Sequence, residues 1–412
     1  MSDLFGDNAS MAQTGSPTPL PNLRHLNAAL AVWRLGSISR ATEQVHLSQS
    51  AITQGLAKLE HDLGVTLFTR SATGLYATES GSVFLHRAER AINWLEAIDQ
   101  ASGLRASRGA QPLYRRLTST QLRALISVVE QGSYSLAASL LRLTQPTVHR
   151  AVKELESACK QTLFRRSPAG VEPSWQARQM ARYASLFFAE IEQGREEVGE
   201  LQGLRAGRVR VGSLPLARAQ LVPHAVTQLL REYPSASVSI IDGPYEEQLY
   251  SLLHGQLDVI VGALREPTPS PDIEQKLLFR DPLHIVVRPG HALTSRRPRN
   301  AGELRALDWI APRRNTPARE TFSRFFADQG FAPPEHVIEC SSLVAIRSLL
   351  LESDRVALLP ARQVALEVQM GILAVSPKPL AGTHRNIGIT LRKHWKPTRL
   401  QRRFLELLKN SG

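Results

Sequence analysis

The sequence predicts an α+β multidomain protein: two tandem copies of a small helical unit, each continued by a long helix, and then a two-lobed α/β half. Three observations carry this. Residues 23–102 recur without a gap 96 residues later. From Arg208 the pattern changes to strands alternating with helices, the order of an open α/β sheet. A chain of 412 residues with 42% hydrophobic content has room for about two to four packed domains. The repeat is legible residue by residue. Gly36-Ser37 returns as Gly132-Ser133, Ala41 as Ala137, Leu47 as Leu143 and Gln49 as Gln145. Leu59-Glu60 returns as Leu155-Glu156, and Leu67-Phe68-x-Arg70 as Leu163-Phe164-x-Arg166. Two long copies make a tandem pair, not a solenoid.

Residues 1–22 are rich in Ser, Thr, Pro, Asn and Gly, lack the basic start and apolar core of a secretory signal, and are expected to be a disordered tail. No apolar run is long enough to span a bilayer. The two cysteines, Cys159 and Cys340, fall in different halves, so a reducing, cytoplasmic setting is expected and a disulfide framework is not. The net charge of +13 favours anionic partners. Its distribution does not single out the repeats, however. Residues 1–206 carry 22 Lys and Arg against 18 Asp and Glu, whereas residues 207–412 carry 28 against 19. A DNA-binding role therefore has to rest on pattern.

Each copy opens with an amphipathic helix, marked by Leu26, Leu30 and Trp33 in the first and Leu122, Ile126 and Val129 in the second. Gly36 and Gly132 end it, as Gly does at a C-terminal cap. A short second helix carries Ala41 or Ala137, and a tight turn at Leu47 or Leu143 leads into a third, over 48–62 or 144–158. Ser48 and Thr144 are placed to cap that third helix. Ile52, Leu56 and Leu59 form its buried stripe, matched by Val148, Val152 and Leu155. The opposite face shows Gln49, Ser50, Thr53, Gln54 and Lys58 in copy one, and Gln145, Pro146, His149, Arg150 and Lys153 in copy two. Short polar groups at the N-terminus with longer donors one or two turns on suit the major groove. There Gln pairs with adenine and Arg with guanine, while hydroxyls reach phosphates or base edges. Helix, helix, turn, helix is the order of a helix-turn-helix reader. Leu67-Phe68 and Leu163-Phe164 then start a wing, with Arg70 and Arg166 leading loops turned at Gly74 and Gly170.

Beyond each wing a long helix carries a heptad-like seam: Phe84, Ala88, Ala91, Leu95 and Ile98, then Met180, Ala184, Phe187, Ile191 and Gly194, extended by Val198 and Leu201. Such a stripe needs a partner helix. The organisation expected is winged units at 23–82 and 117–178, long helices at 83–102 and 179–204, and a flexible connector at 103–116.

The α/β half runs over 207–412, with one lobe at 207–266 and about 371–412 and the other at about 272–365. Strands are expected at 209–213, 236–242, 257–264, 275–279, 283–287, 309–310, 372–375 and 386–391. Helices are expected at 216–232, 246–254, 318–329, 344–351 and 400–409. Two such lobes bind small ligands in the cleft between them, where helix N-termini offer free N–H groups to carboxylates. The candidate ligand residues are Ser213, Leu214 and Pro215 at one helix start, Gly262 and Ala263 at the end of the central strand, Asn315 and Thr316 at a second helix start, and Ser341 and Ser342 at a third.

The combination Gly-Ser-x-Ser-x-Ala, Leu-x-x-(Ser/Thr)-Gln, Leu-Glu and Leu-Phe-x-Arg resembles the winged helix-turn-helix of LysR-type transcriptional regulators, over about sixty residues in each copy. The resemblance implies that the outer faces named above, with Arg70 and Arg166, lie toward double-stranded DNA. The family has one such unit per chain, and this chain has two. Copy one keeps Leu63-Gly64 and Thr78-x-x-Gly81 of the family pattern, where copy two has Cys159-Lys160 and Ser174-x-x-Ala177. Either copy could have lost DNA binding. In the family the long helix is a linker that pairs two subunits, so a homo-oligomer is implied. With two linkers in one chain, pairing within the chain to make a pseudo-dimer is the alternative. Residues 208–412 resemble the family's effector-binding half, similar to a periplasmic solute-binding protein, through Val211-Gly-Ser213, Leu257-Asp-Val-Ile-Val-Gly262, Val287-Arg-Pro-Gly-His291 and Ala357-Leu-Leu-Pro360. The expected function is a ligand-responsive regulator with a small organic or aromatic acid as effector. The alternative is a constitutive or architectural DNA binder with a vestigial ligand half. No metal-ligand spacing, nucleophile elbow or phosphate loop is present, so neither enzyme activity nor a cofactor or metal is expected.

Overall fold

The computed structural model describes residues 20–72, 74–101, 112–168, 170–296 and 300–411. The chain divides into two compact units, Met1–Leu201 and Gln202–Gly412. The first runs α1 (Leu23–Leu35), α2 (Ile38–Val45), α3 (Gln49–Leu63), β1 (Phe68–Ser71), β2 (Gly74–Ala77) and α4 (Glu79–Ala101). It continues with α5 (Ser119–Gln131), α6 (Tyr134–Leu141), α7 (Gln145–Cys159), β3 (Phe164–Ser167), β4 (Gly170–Pro173) and α8 (Trp175–Leu201). Each element of the second copy begins 96 residues after its counterpart.

The repeated residues do repeated work. Gly36 and Gly132 cap α1 and α5 in the left-handed region, at φ 65° and 59°. Ser37 and Ser133 then cap α2 and α6 by accepting from the backbone N–H of Arg40 and Leu136. Gly74 and Gly170 start the second wing strand at positive φ. A Cβ on either would lie 2.7 or 2.6 Å from the carbonyl oxygen of Gly36 or Gly132. That same carbonyl accepts from Leu75 N–H at 3.0 Å or Val171 N–H at 2.8 Å, tying each wing to the end of the first helix. Glu60 and Glu156 make the other tie. One carboxylate oxygen of each accepts from two consecutive N–H groups, Leu67 and Phe68 or Leu163 and Phe164, at 2.7 and 3.2 Å in both copies.

The long helices start earlier than expected, at Glu79 and Trp175, because Thr78 and Ser174 cap them by accepting from Gly81 and Ala177 N–H. The expected connector is partly ordered. Residues 102–111 lie outside the described residues, but Leu113–Arg116 forms a 3-10 turn that buries Leu113 and Tyr114. Asp99 of α4 accepts from both of their N–H groups, which holds the turn against the long helix. The end of the expected tail is likewise ordered. Asn22 caps α1, and the Pro21 carbonyl accepts from the Ser119 hydroxyl, joining the start of copy one to the start of copy two.

α4 and α8 pack on each other antiparallel. Arg87 meets Glu190, and Trp94 stacks on Tyr183 with ring centroids 6.1 Å apart. At Gly194 an added Cβ would lie 2.9 Å from the Cβ of Arg87, so the backbones approach closely there. The seam residues from Phe84 to Ile98 and from Met180 to Val198 are buried, but Leu201, the expected last member, is exposed at the end of α8. One contiguous core joins both winged units and both long helices.

The second unit runs β5 (Ala206–Ser213), α9 (Pro215–Ala219), α10 (Leu221–Glu232), β6 (Ser235–Ile241), α11 (Tyr245–Leu253), β7 (Val259–Ala263), β8 (Ile273–Asp281) and β9 (Leu283–Val287). It continues with α12 (Ala301–Arg305), β10 (Trp309–Ala311), α13 (Pro317–Ala327), β11 (Val337–Glu339), α14 (Leu343–Leu351), β12 (Val356–Pro360), α15 (Ala365–Gln369), β13 (Ala374–Val375), β14 (Arg385–Arg392) and α16 (Arg399–Asn410). The helix expected over 216–232 is two helices. They break at Gln220 (φ −143°) because Pro223 has no N–H to donate to Ala219. β11 and β12 were not expected as strands.

The strands form two five-stranded sheets, ordered β6-β5-β7-β14-β8 and β11-β10-β12-β9-β13. The expected lobe boundaries are corrected by strand pairing. β8 pairs with β14 from Ile273↔Arg392 to Asp281↔Arg385, so it belongs to the first lobe and the chain crosses at Pro282. β13 pairs with β9, so the second lobe extends to Val375. In each sheet the chain moves first to one side of a parallel strand and then to the other, which creates a switch point beside β5 in one lobe and β10 in the other.

Candidate nucleic-acid interface and effector cleft

α3 and α7 each separate two faces. Ile52, Leu56 and Leu59 are buried, as are Val148, Val152 and Leu155. Ser48, Gln49, Ser50, Thr53, Gln54 and Lys58 are all exposed on the other side of α3, and Arg70 is exposed on β1. Thr144, Gln145, Pro146, His149, Arg150 and Lys153 are all exposed on α7, and Arg166 on β3. A shallow concavity along α7 is lined by Gln145, Pro146, His149, Arg150 and Lys153. No other described segment of the first unit covers either face.

The two starts differ. Ser48 caps α3, accepting from Ala51 N–H at 3.2 Å, and its hydroxyl lies 3.1 Å from that of Ser50. Thr144 occupies the cap position of α7 but makes no side-chain cap, a correction to the expectation. Its hydroxyl pairs with that of Thr147 at 2.8 Å instead. Thr53 donates to the Gln49 carbonyl. Lys58 pairs with Asp62, and Lys153 with Glu156, both at 2.7 Å and both on lysines more than half exposed. The carboxylates are largely covered, but both ammonium groups stay open to solvent, where a phosphate can approach them. His149 rests edge-on against Tyr134, with centroids 5.1 Å apart. Burial, aided by Glu156 and opposed by Arg166, pushes the Tyr134 phenol up to about 12, so it stays neutral beneath the imidazole.

In the second unit the structure brings Ser213, Leu214 and Gly262 together at the switch point of the first lobe. Leu214 N–H donates to the Val261 carbonyl, and a Cβ on Gly262 (φ 154°) would lie 2.5 Å from the Cβ of Leu214. Ala263 ends β7, and Pro215 opens α9. The Ser213 hydroxyl is fully buried and has no hydrogen-bond partner among the described residues. In the second lobe, the loops with Asn315-Thr316 and Ser341-Ser342 leave the neighbouring parallel strands β10 and β11. Thr316 and Ser342 cap α13 and α14, accepting from Arg319 and Ala345 N–H, so their hydroxyl acceptors are already engaged.

The sequence reading missed Arg265. It lies in the connection from β7 to β8, two residues after Ala263, stacks over the Tyr245 ring at 4.4 Å and feels Glu320 in the first turn of α13 across the lobes. Burial holds its guanidinium below the usual range, against the opposing pull of Tyr245, Glu246 and Glu320. No carboxylate oxygen among the described residues lies within ion-pair distance of it. In sequence it is one basic residue among many; only the strand end singles it out.

Residues 202–412 match the family described as LysR substrate binding domain. Residues 23–82 and, separately, 119–178 match the bacterial regulatory helix-turn-helix protein, lysR family. The chain belongs to the LysR family of transcriptional regulators. This LysR-type chain is 33% identical to the HTH-type transcriptional regulator GalR of Pseudomonas putida over 373 residues, which cover 90% of this chain and 93% of that one. It is 28% identical to the regulator PcaQ of Agrobacterium fabrum over 285 residues, covering 69% of this chain and 91% of that one. Among solved structures, a full-length OxyR variant from Pseudomonas aeruginosa aligns with a TM-score of 0.53 at 24% identity, covering 72% of this chain and 94% of that one. CbnR, a LysR family regulator, aligns at 0.51 and 22%, covering 72% and 99%. These two likenesses show the fold. The family and the relatives of this LysR-type chain are regulators of transcription that bind DNA and small-molecule effectors, not enzymes. No helix among its described residues is long and apolar enough to cross a membrane.

Proposed function

We propose that both winged units of this LysR-type regulator read duplex DNA, and that its effector is a small carboxylate. One observation carries the DNA reading: in both copies every polar residue singled out on α3 and α7 is exposed while the opposite face is buried. Gln49 and Gln54 suit adenine, Arg150 suits guanine, and Arg70 and Arg166 on the wings suit the sugar-phosphate backbone. Two features support an anionic effector: an unsatisfied, buried Ser213 hydroxyl at the end of β5, and a part-buried Arg265 guanidinium two residues past the end of the adjacent parallel strand β7. A carboxylate there gains charge-assisted hydrogen bonds that the protein itself leaves unmade.

The test is footprinting of the full chain on its own upstream DNA while aliphatic and aromatic carboxylates are titrated. The expected result is a footprint whose extent changes with one acid, and an Arg265→Gln variant that keeps the basal footprint but loses the change. A footprint indifferent to every acid favours the constitutive reading. No protection at either half of a two-part site would refute DNA reading by both units.

A further inference from the structure

The two ends of the α4–α8 seam are chemically unlike. Ala91 and Phe187 stand 96 residues apart, at equivalent places in the repeat, and the contacts of the seam fall symmetrically about them. On one side Arg87 meets Glu190 at 3.0 Å and Glu197 at 2.6 Å, with Gln193 and Arg90 completing the cluster. On the other side Trp94 stacks on Tyr183. Shifted by the repeat length, Arg87 corresponds to Tyr183 and Trp94 to Glu190. The approximate two-fold axis therefore exchanges a buried ionic cluster with an aromatic stack. Pairing α4 with a second α4 would set each Arg87 on a Trp94 and remove both of its carboxylates. Pairing α8 with a second α8 would set each Glu190 on a Tyr183 with neither Arg87 nor Arg90 opposite. A buried charge stripped of its partner is strongly unfavourable, so only α4 with α8 satisfies both ends.

We propose that this seam is a pairing code that matches α4 only with an α8, met in this structure by the α8 of the same chain, and that the DNA ligand is therefore a site of two inverted but unlike half-sites, bound in one orientation. Gln49 recurs as Gln145, so the difference lies one turn on, where Gln54 of α3 corresponds to Arg150 of α7: Gln54 reads adenine in one half and Arg150 reads guanine in the other. This rests on the reading that both winged units face DNA. It goes beyond that reading in fixing how the two halves differ and that one chain supplies both heads.

The experiment is selection of bound DNA from a random pool by the full chain, followed by binding measurements with two surface variants. The selected sites are expected to hold two dissimilar halves. Arg150→Ala is expected to weaken binding by about 10- to 100-fold and to relax only one half, and Gln54→Ala to relax only the other. Co-expressing the two variants is expected to restore nothing, because each chain keeps one impaired head. Selected palindromes, with each variant relaxing both halves, overturn the inference while leaving DNA reading by both units standing. Restored binding on co-expression overturns the pairing within one chain. A single half-site indifferent to one of the variants defeats the underlying reading and the inference with it.

Discussion

At the residue scale, the most instructive positions are Glu60 and Glu156. Each is one carboxylate that closes a loop of seven or eight residues by accepting from two backbone N–H groups. Their recurrence next to Leu59 and Leu155 was visible in the sequence; their task was not, because nothing in a Leu-Glu pair says which N–H groups it will face. Glu156 is buried and also holds Lys153. Glu156→Ala leaves the N–H groups of Leu163 and Phe164 without an acceptor, and a loss of about 1–3 kcal/mol is expected in denaturant unfolding, with Glu156→Gln losing less. The glycine pairs belong to the same lesson. Gly36, Gly74 and their counterparts were read as turn residues, yet Gly74 and Gly170 are also fixed by the lack of room for a Cβ. Thr144 shows the limit of such reading. Its place before α7 predicted a cap, but the neighbouring Thr147 hydroxyl took its side chain instead.

At the element scale, α3 lies across α1 where the His25 ring meets Gly55, which has no side chain to hold the helix away. Burial lowers the His25 pKa, with Asp62 partly opposing and Lys58 adding to the shift. The sign follows from linkage. Below its ordinary value of 6.5 the unfolded chain takes up this proton before the folded one does, so stability is full above 6.5 and is lost as the pH falls toward the lower, folded value. Thermal unfolding at about pH 7 and about pH 5 should show this loss in the native chain and a smaller one in His25→Gln. An equal slope in both would show that His25 carries no linkage. The amphipathic stripes made nearly every helix of the first unit legible. The short strands β11 and β12 escaped because three half-buried or exposed edge residues, in β11, and five residues buried without a break, in β12, carry no alternation to read. The lobe boundary escaped because Pro267, Pro269 and Pro271 interrupt the regular pattern between β7 and β8, although these two strands lie in one sheet.

At the scale of the whole molecule, the division into two compact units implies two separable unfolding events. A carboxylate effector that binds beside Ser213 and Arg265 should raise the transition of residues 202–412 alone, by about 2.7 kcal/mol at a hundred times its dissociation constant. Scanning calorimetry of the full chain checks this; a ligand that raised both transitions equally would place its site elsewhere. The two-unit architecture was legible from the change in hydrophobic period near Arg208. The cation proposed to meet the effector was not, since choosing Arg265 among the basic residues of that half requires knowing that β7 ends beside β5.

The embrace of α4 by α8 also bears on how the protein behaves when scarce. Two reading heads carried on separate molecules must first find each other, and dilution pulls them apart. Here the tether keeps the effective concentration of one long helix around the other fixed, whatever the number of copies. The binding isotherm for a two-part DNA site should then keep unit steepness down to the lowest protein levels, so that a handful of molecules suffices to engage it.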